Sequence, residues 1–344
     1  MKYLVADGRY DYIETGSLVS IRENVKDILI PSEEEPMTLH PMDFEEFLWA
    51  IGNETIFPLI RSCFEKKRPM GQMLHRKAMD LFRLYLIVGG MPLAVEQYAA
   101  TRNFSGVDRI KRRILSLYRD DIQKRASRDR LKIEAIFDEI PNQLKNQNRH
   151  FKLSALGKDA RRATYAEPLF WLSDAMIASN CYNTTDPALG LTMNQNRRLL
   201  KCYMGDTGLL ISHAFDENSI ASEEIYRKLL LGKLKVDMGM IVENMVAQML
   251  VASGHKLYFY ANADRQHNEN RMEIDFLITK RLITNRHNIS PIEVKSSSRY
   301  TLASLQKFIA KYAVQLHTAY VLHPGDYREE DGITFLLLYM TPLL

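Results

Sequence analysis

The apolar pattern after residue 235 constrains the fold of this chain more than any other feature of its sequence. Val236 to Ala252 places apolar residues at helical spacing, and Thr301 to Tyr312 repeats that spacing. Short apolar runs bounded by polar residues predict strands. These runs are Glu273 to Ile278, Pro291 to Lys295, Ala319 to Leu322 and Ile333 to Met340. The sequence therefore predicts an α/β domain after residue 235.

Charged residues interrupt two of these strands at a spacing of two. Glu273 and Asp275 lie on one strand, and Glu293 and Lys295 lie on the next. Residues two apart on a strand face the same side, so a hairpin would gather three carboxylates and one ammonium in one patch. Such a patch could hold a hard cation while the lysine orients or deprotonates an attacking water. The alternative is a lattice of cross-strand ion pairs on a solvated sheet face, and these residues alone leave both interpretations open.

An order of helix, strand, strand, strand, helix, strand resembles the restriction-endonuclease-like fold, and these residues resemble the PD-(D/E)xK pattern of nucleases with that fold. The matching positions are Glu243 on the helix, Asp275 on the second strand, and Glu293 and Lys295 on the third. The resemblance implies that Asp275, Glu293 and Lys295 are catalytic, and that Asp275, Glu293 and Glu243 bind Mg2+. The sequence departs from the family pattern before Asp275. Met272, Glu273 and Ile274 stand there, and no Pro-Asp pair is present. Many members of the fold class have lost catalysis while keeping the fold.

Composition and charge place few limits on function. With 344 residues the chain is long enough for two or three domains. Its 46 Lys and Arg residues against 42 Asp and Glu residues give a formal net charge of +4, which does not by itself indicate a nucleic-acid partner. Three cysteines without a CxxC pair argue against a zinc site and are typical of a reducing compartment. No apolar run approaches a membrane span, so we expect a cytoplasmic protein without membrane contact.

Several stretches resemble a family of prokaryotic AAA-type ATPases. They are Tyr12 to Leu18, Pro41 to Phe47, Gly89 to Pro92, Lys201 to Leu210 and Glu243 to Ala247. Members of that family carry a C-terminal domain of unknown function with a restriction-nuclease-like fold. The resemblance runs along essentially the whole chain, and it implies the same C-terminal fold as the strand pattern.

The chain departs from that family because it has no P-loop, the GxxxxGK[ST] turn that cradles the phosphates of ATP. Neither of its Gly-Lys pairs, Gly157-Lys158 and Gly232-Lys233, precedes Ser or Thr or follows a predicted strand. We therefore expect no ATP site and no ATPase activity in this chain alone. We also expect that the chain begins just after the nucleotide-binding half. Its partner would then be the missing ATPase half or a second copy of the chain.

The middle of the chain is predicted to be helical. Pro31 to Glu54 is acidic and contains no Lys or Arg, whereas Arg109 to Lys132 is basic and could contact phosphates or face solvent. Three further helices and a wing strand, Ser179 to Thr184, suggest a winged helix-turn-helix. The basic residues before its third helix that would contact DNA are Lys152, Lys158, Arg161 and Arg162. The alternative is that this module only packs its neighbours together.

Together these patterns predict an α/β multidomain protein. The resemblances imply that its parts would be a partial AAA-type core (1–30), a helical lid (31–132), a winged helix-turn-helix-like module (133–190) and a C-terminal restriction-endonuclease-like α/β domain (191–344). The predicted function is binding or cleavage of DNA with Mg2+. The alternative is a non-catalytic DNA- or protein-binding module that works with a separate ATPase partner.

Overall fold

A computed structural model gives the structure of most of this chain. The residues that it describes are 9–11, 13, 35, 37–125, 129–145, 150–156, 162–187, 191–215, 223–231, 238–264, 266–279 and 289–344. The partial AAA-type core predicted over residues 1–30 falls almost entirely outside this set. Within these ranges, no helix is both long enough and apolar enough to cross a membrane.

Helices make up the first part of the described chain. They are α1 (Phe44–Ala50), α2 (Ile56–Glu65), α3 (Gln72–Val88), α4 (Pro92–Thr101), α5 (Phe104–Arg125), α6 (Arg130–Lys145) and α7 (Arg162–Asp174), with a 3-10 turn at Leu153–Leu156. Asp43 and Glu46 form a capping box that begins α1, because each side chain accepts a hydrogen bond from the other residue's main chain. Pro92 occupies the first turn of α4, where its missing N–H costs nothing.

One mixed sheet of eight strands forms the second part of the described chain. Its strands are β1 (Ala178–Thr184), β2 (Gln195–Met204), β3 (Tyr258–Asn262), β4 (Met272–Thr279), β5 (Ile289–Val294), β6 (Ala319–His323), β7 (Arg328–Glu330) and β8 (Ile333–Leu337). The helices between them are α8 (Thr207–Ala214), α9 (Glu223–Leu230), α10 (Met238–Ala252) and α11 (Ala303–Tyr312). Across the sheet the order is β2-β1-β3-β4-β5-β6-β8-β7. The protein is therefore mixed α/β.

The predicted order of elements after residue 235 is confirmed. Helix α10 precedes the antiparallel strands β3, β4 and β5, and α11 then leads to β6, which is parallel to β5. The prediction of a strand over Ile333 to Met340 is wrong at its end, because residues 338–343 form a 3-10 helix that contains Pro342. The strand therefore stops at Leu337.

The hairpin of β1 and β2 belongs to the same sheet. β1 pairs antiparallel with β2, and its far end pairs in parallel with β3 through Tyr182 and Asn183. The predicted wing strand, Ser179 to Thr184, therefore lies inside the sheet with a neighbour on each side. The boundary predicted between residues 190 and 191 falls within the hairpin.

Helices α1 to α4 and the sheet share one core. The ring of Tyr339, beyond β8, packs against Phe44 of α1 and Phe82 of α3, with centroid distances of 6.2 and 6.3 Å. Asp326, between β6 and β7, accepts a hydrogen bond of 2.9 Å from the main-chain N–H of Met70, just before α3. The helical layer and the sheet therefore bury their apolar faces against each other.

Asp206 links α8 to the turn that precedes α4 through hydrogen bonds. Its buried carboxylate accepts hydrogen bonds from the main-chain N–H of Leu209, at 2.8 Å, and of Gly90, at 2.6 Å. A Cβ atom at Gly90 would lie 2.3 Å from the carbonyl oxygen of Met42. Gly90 is therefore required by this close approach of two main chains.

Candidate functional site

The candidate site begins at an irregularity in strand β4. Tyr258 of β3 lies opposite Leu277, but Tyr260 lies opposite Ile274, so β4 has one extra residue at this point. Such a bulge changes the direction of the side chains around it. Because of it, Ile274 and Leu277 both pack towards α11, while Phe276 packs towards α10. Asp275 lies in the bulge, and its side chain lies near Lys201 and Glu243 on the side of the sheet that α10 covers.

A lysine from strand β2 lies among the carboxylates on the α10 side. The Nζ atom of Lys201 is 3.1 Å from Oε1 of Glu243, 3.1 Å from Oε1 of Glu273 and 3.7 Å from Oδ1 of Asp275. The Lys201 side chain is only 1% exposed. We call these four residues the Lys201 cluster. A buried ammonium surrounded in this way is compensated by charge on several sides.

Tyr203 supports the Glu243 carboxylate within the cluster. Its hydroxyl donates a hydrogen bond of 2.6 Å to Oε1 of Glu243. Burial, reinforced by the negative charge of Glu243, holds the pKa of Tyr203 well above its ordinary value. The phenol therefore stays protonated and keeps its role as a donor. Burial also raises the pKa of the Cys181 thiol, opposite Lys201 in the hairpin, so this thiol stays neutral.

Glu273 is the most exposed member of the Lys201 cluster, with 36% of its side chain accessible. Its Oε2 atom lies 3.5 Å from Nε2 of His150. Burial by itself raises the pKa of Glu273, but the charge of Lys201 and the interaction with His150 outweigh burial and lower the pKa to about 2. The carboxylate is therefore ionised at neutral pH.

Asp275 also joins β4 to β5. Its Oδ2 atom accepts a hydrogen bond of 2.9 Å from the main-chain N–H of Val294. The Oδ2 atom of Asp275 thus accepts one of the hydrogen bonds that join β4 to β5, while its Oδ1 atom faces Lys201. The carboxylate is 3% exposed.

Glu293 and Lys295 form a separate pair at the end of β5. Ile292 and Val294 pack into the core on the α10 side, so Glu293 between them projects to the opposite face of the sheet. The Nζ atom of Lys295 lies 2.6 Å from Oε1 of Glu293, and the Lys295 side chain is 17% exposed. The structure brings these two residues together as the sequence predicts.

The three predicted metal ligands are divided between these two groups. Glu243 and Asp275 belong to the Lys201 cluster, whereas Glu293 pairs with Lys295. In the part of the chain that the structure describes, no three His, Cys, Asp or Glu side chains form a group that could hold a metal ion. As placed, the side chains do not fit Mg2+, because an ammonium stands where the cation would neutralise Glu243 and Asp275.

Of the residues predicted to bind nucleic acid, only the side chain of Lys152 lies within the described structure, and it is exposed. Lys158 and Arg161 fall outside the described residues, and Arg162 is described only as the first residue of α7. In the basic stretch, Lys111 is buried, and its ammonium donates a hydrogen bond of 2.8 Å to the carbonyl of Ile87. Burial lowers the pKa of Lys111 to about 8. DNA contact stays a prediction.

The sequence interpretation missed Lys201, although the sequence carries a signal for it. Lys201 is the one charged residue in the run Leu199-Leu200-Lys201-Cys202-Tyr203-Met204, and Glu243 is the one charged residue of helix α10. Single charges of opposite sign inside two apolar elements indicate a buried pair, since a lone buried charge is very costly.

Two family models match this chain. Residues 79–219 match a domain of unknown function, DUF8612, and residues 238–341 match a second domain of unknown function, DUF4143. The prediction of a C-terminal domain of unknown function is confirmed at this level. Lys201 lies in the first matched region and its three carboxylates lie in the second, so the Lys201 cluster joins the two. No curated protein and no solved structure matches the chain.

Proposed function

We propose that this chain is a non-catalytic protein-interaction module that works with a separate ATPase partner. The observation that carries this proposal is the position of the Lys201 ammonium, within 3.7 Å of three carboxylates and 1% exposed. The cluster then acts as a structural ion-pair network that holds the β1–β2 hairpin against α10 and β4.

Physical chemistry favours this role for the Lys201 cluster. A divalent cation at Glu243 and Asp275 would bring its charge close to the buried ammonium, and the repulsion would oppose metal binding. An ammonium that is already dehydrated and surrounded by acceptors gains nothing from leaving them. The buried position of the Lys201 ammonium therefore disfavours a divalent cation at Glu243 and Asp275.

The two sequence resemblances support the identity of the partner and the detailed fold that we propose. The order of α10, three antiparallel strands, α11 and a parallel strand is what the restriction-endonuclease-like resemblance implies. The helical lid and winged helix-turn-helix stay proposals of the same kind. The resemblance to AAA-type ATPases, together with the missing P-loop motif, supports an ATPase as the partner.

A second candidate function, a Mg2+-dependent nuclease, is favoured by the Glu293–Lys295 pair. Asp275 reaches the same strand through its hydrogen bond to the N–H of Val294, between the two residues of that pair. In this function Lys295 would orient or deprotonate the attacking water, and the carboxylates would need to meet around a metal ion.

A DNA-cleavage assay separates the two functions. Purified protein is incubated with single-stranded and double-stranded DNA in the presence of Mg2+ or Mn2+, beside a Lys295→Ala variant. We expect equal, background cleavage by both proteins. Cleavage by the wild type that the variant lacks would contradict the proposal and establish the nuclease.

A further inference from the structure

Helices α3 and α9 border an open groove with an apolar lining. The cavity between them has a volume of about 1030 Å3. Its apolar lining residues are Met73, Leu81, Leu84, Tyr98, Leu230 and Leu231. Met73 is 86% exposed and Leu231 is 64% exposed, so two large apolar side chains of this groove face water. Covering them with another apolar surface is favourable.

The charged residues that line this groove are predominantly basic. They are Arg76, Lys77, Asp80 and Arg83, all exposed residues of α3, so three cations stand against one carboxylate. Arg83 pairs with Asp80 at a distance of 2.8 Å. Arg76 and Lys77 therefore carry the net positive charge of the groove.

Charged residues beside the groove leave this balance positive. Each of the two glutamates of α9 pairs with a basic residue four positions later, so the charges of this helix cancel. Beyond the end of α4, the guanidinium of Arg102 lies 5.2 Å from the centre of the Tyr98 ring. Glu96 of α4 lines a separate cavity, between α4 and α1. The groove therefore attracts acidic side chains.

The two helices that border the groove are fixed by contacts on their other faces. Phe82 of α3 packs in the core against Phe44, at a centroid distance of 5.5 Å. On α9, Tyr226 donates a buried hydrogen bond to Asp108 of α5, and Glu223 accepts one of 2.9 Å from the main-chain N–H of Phe104. A preformed groove loses little conformational entropy on binding.

The length of the lining face of α3 suits a helix. The lining residues from Met73 to Leu84 recur at spacings of three and four, so they form one face of α3 over about three turns, roughly 16 Å. An amphipathic helix that lies in a groove presents its apolar side chains at the same spacing.

We propose that the groove between α3 and α9 binds an acidic amphipathic helix of a partner protein. The apolar stripe of that helix would cover Met73, Leu84 and Leu231, and its Asp and Glu side chains would face Arg76 and Lys77. A phosphate backbone would leave the apolar lining uncovered. This inference rests on the proposed function, because it identifies where the interaction module engages its partner.

A synthetic peptide tests the groove directly. The probe is a fluorescently labelled peptide of leucine, alanine and glutamate, with its leucines at helical spacing, and its counterpart replaces each glutamate with lysine. Binding to the full chain is followed by fluorescence anisotropy. We expect the anisotropy of the glutamate peptide to rise, with weaker binding at high salt, and the anisotropy of the lysine peptide to stay constant.

Variants locate the binding on the protein. Lys77→Glu should weaken the affinity for the glutamate peptide by about tenfold or more, because it reverses a charge that faces the peptide. Met73→Ser should weaken it as well, because it removes an exposed apolar anchor. Lys124→Glu, at an exposed position near the far end of α5, changes the net charge equally and should leave the affinity unchanged. Equal binding by wild type, Lys77→Glu and Met73→Ser, or no binding by the wild type, would overturn the proposed site.

Two other occupants give different results. If a labelled DNA duplex binds in place of the peptide, and Lys77→Glu abolishes its binding while Met73→Ser does not, the groove is a phosphate site and the proposed helix is wrong. If sedimentation velocity shows a wild-type dimer that Met73→Ser abolishes, the groove binds a second copy, and the proposed helix is again wrong.

The DNA-cleavage assay is independent of these results, because Met73 and Lys77 lie on α3 whereas Lys295 directly follows β5. Cleavage that Lys295→Ala abolishes, beside normal binding of the glutamate peptide, would overturn the non-catalytic function and leave the groove in place. Absence of both cleavage and peptide binding would overturn the groove alone.

Discussion

At the scale of single residues, the Lys201 ammonium compensates the charges of the acidic side chains around it. The ammonium is itself compensated by three carboxylates, so its removal takes a close counter-charge away from the buried Glu243 and Asp275. We predict that Lys201→Met lowers the free energy of unfolding by about 3–5 kcal/mol, the range for a broken buried ion pair. Urea unfolding at neutral pH measures this change.

An exposed lysine provides the control for that substitution. Lys77 lies on the surface of α3, and Lys77→Met should change stability by no more than about 0.5 kcal/mol. Equal effects of the two substitutions would mean that the Lys201 cluster contributes nothing to stability.

The stability that Glu273 contributes to the fold depends on pH in a predictable way. Its pKa falls from an ordinary 4.5 to about 2 in the folded protein, so its ionised form stabilises the fold above pH 4.5. This stability is lost as the pH falls from about 4.5 towards about 2. We predict that Glu273→Gln destabilises the protein at neutral pH and that the difference from wild type shrinks through this window.

Unfolding curves at several pH values test this prediction, with Glu269→Gln as the control at an exposed position of the neighbouring loop. A difference between wild type and Glu273→Gln that stays constant from neutral pH to about pH 2 would contradict the lowered pKa.

The sequence predicted part of this site for a clear reason. The Glu-x-Lys spacing on β5 was sufficient to place Glu293 beside Lys295, because alternation on a strand is local. The bulge in β4 and the approach of Lys201 from β2 depend on pairing between distant strands. No local pattern specifies that pairing, although the single charges of Lys201 and Glu243 within apolar elements indicate that each needs a buried partner.

At the scale of elements, glycine determines how closely the turn before α4 approaches the start of α1. A side chain at Gly90 would lie 2.3 Å from the main-chain oxygen of Met42. We predict that Gly90→Ala destabilises the protein by about 1–3 kcal/mol, the typical cost of overpacking. Thermal or urea unfolding measures the change.

Gly106, within α5, is the matched control. A Cβ atom there meets only the end of the flexible Gln97 side chain, at 3.0 Å. Gly106→Ala should be neutral or stabilise the helix by up to about 1 kcal/mol, since alanine has the higher helix propensity. A similar loss of stability in both variants would show that the contact with Met42 is unimportant.

Elements were predicted better than their arrangement. Apolar periodicity located α10 and α11 within two residues at each end, because this signal is local. The pairing of β1 with β3, and the packing of α1 against Tyr339, join residues far apart in sequence. Helical and strand periodicity predicts which face of an element is buried. It does not predict which other element covers that face.

At the scale of the whole molecule, the shared core predicts cooperative unfolding. Trp49 lies in the helical layer and Trp171 on α7, while far-ultraviolet circular dichroism reports helices and sheet together. We predict that tryptophan fluorescence and circular dichroism give coincident urea transitions, because Phe44, Phe82 and Tyr339 tie the helices to the sheet. Two separated transitions would mean that the helical layer and the sheet fold independently.

The most direct test of the central claim is a thermal melt of the wild type and of Glu293→Ala, each with and without Mn2+. Manganese prefers the same oxygen ligands as Mg2+. If Lys201 is the cation of the cluster, Mn2+ should leave the melting temperature of both proteins unchanged, because a ligand stabilises only the state that binds it. A Mn2+-dependent rise in the wild type that Glu293→Ala abolishes would contradict the account and show that the carboxylates form a metal site.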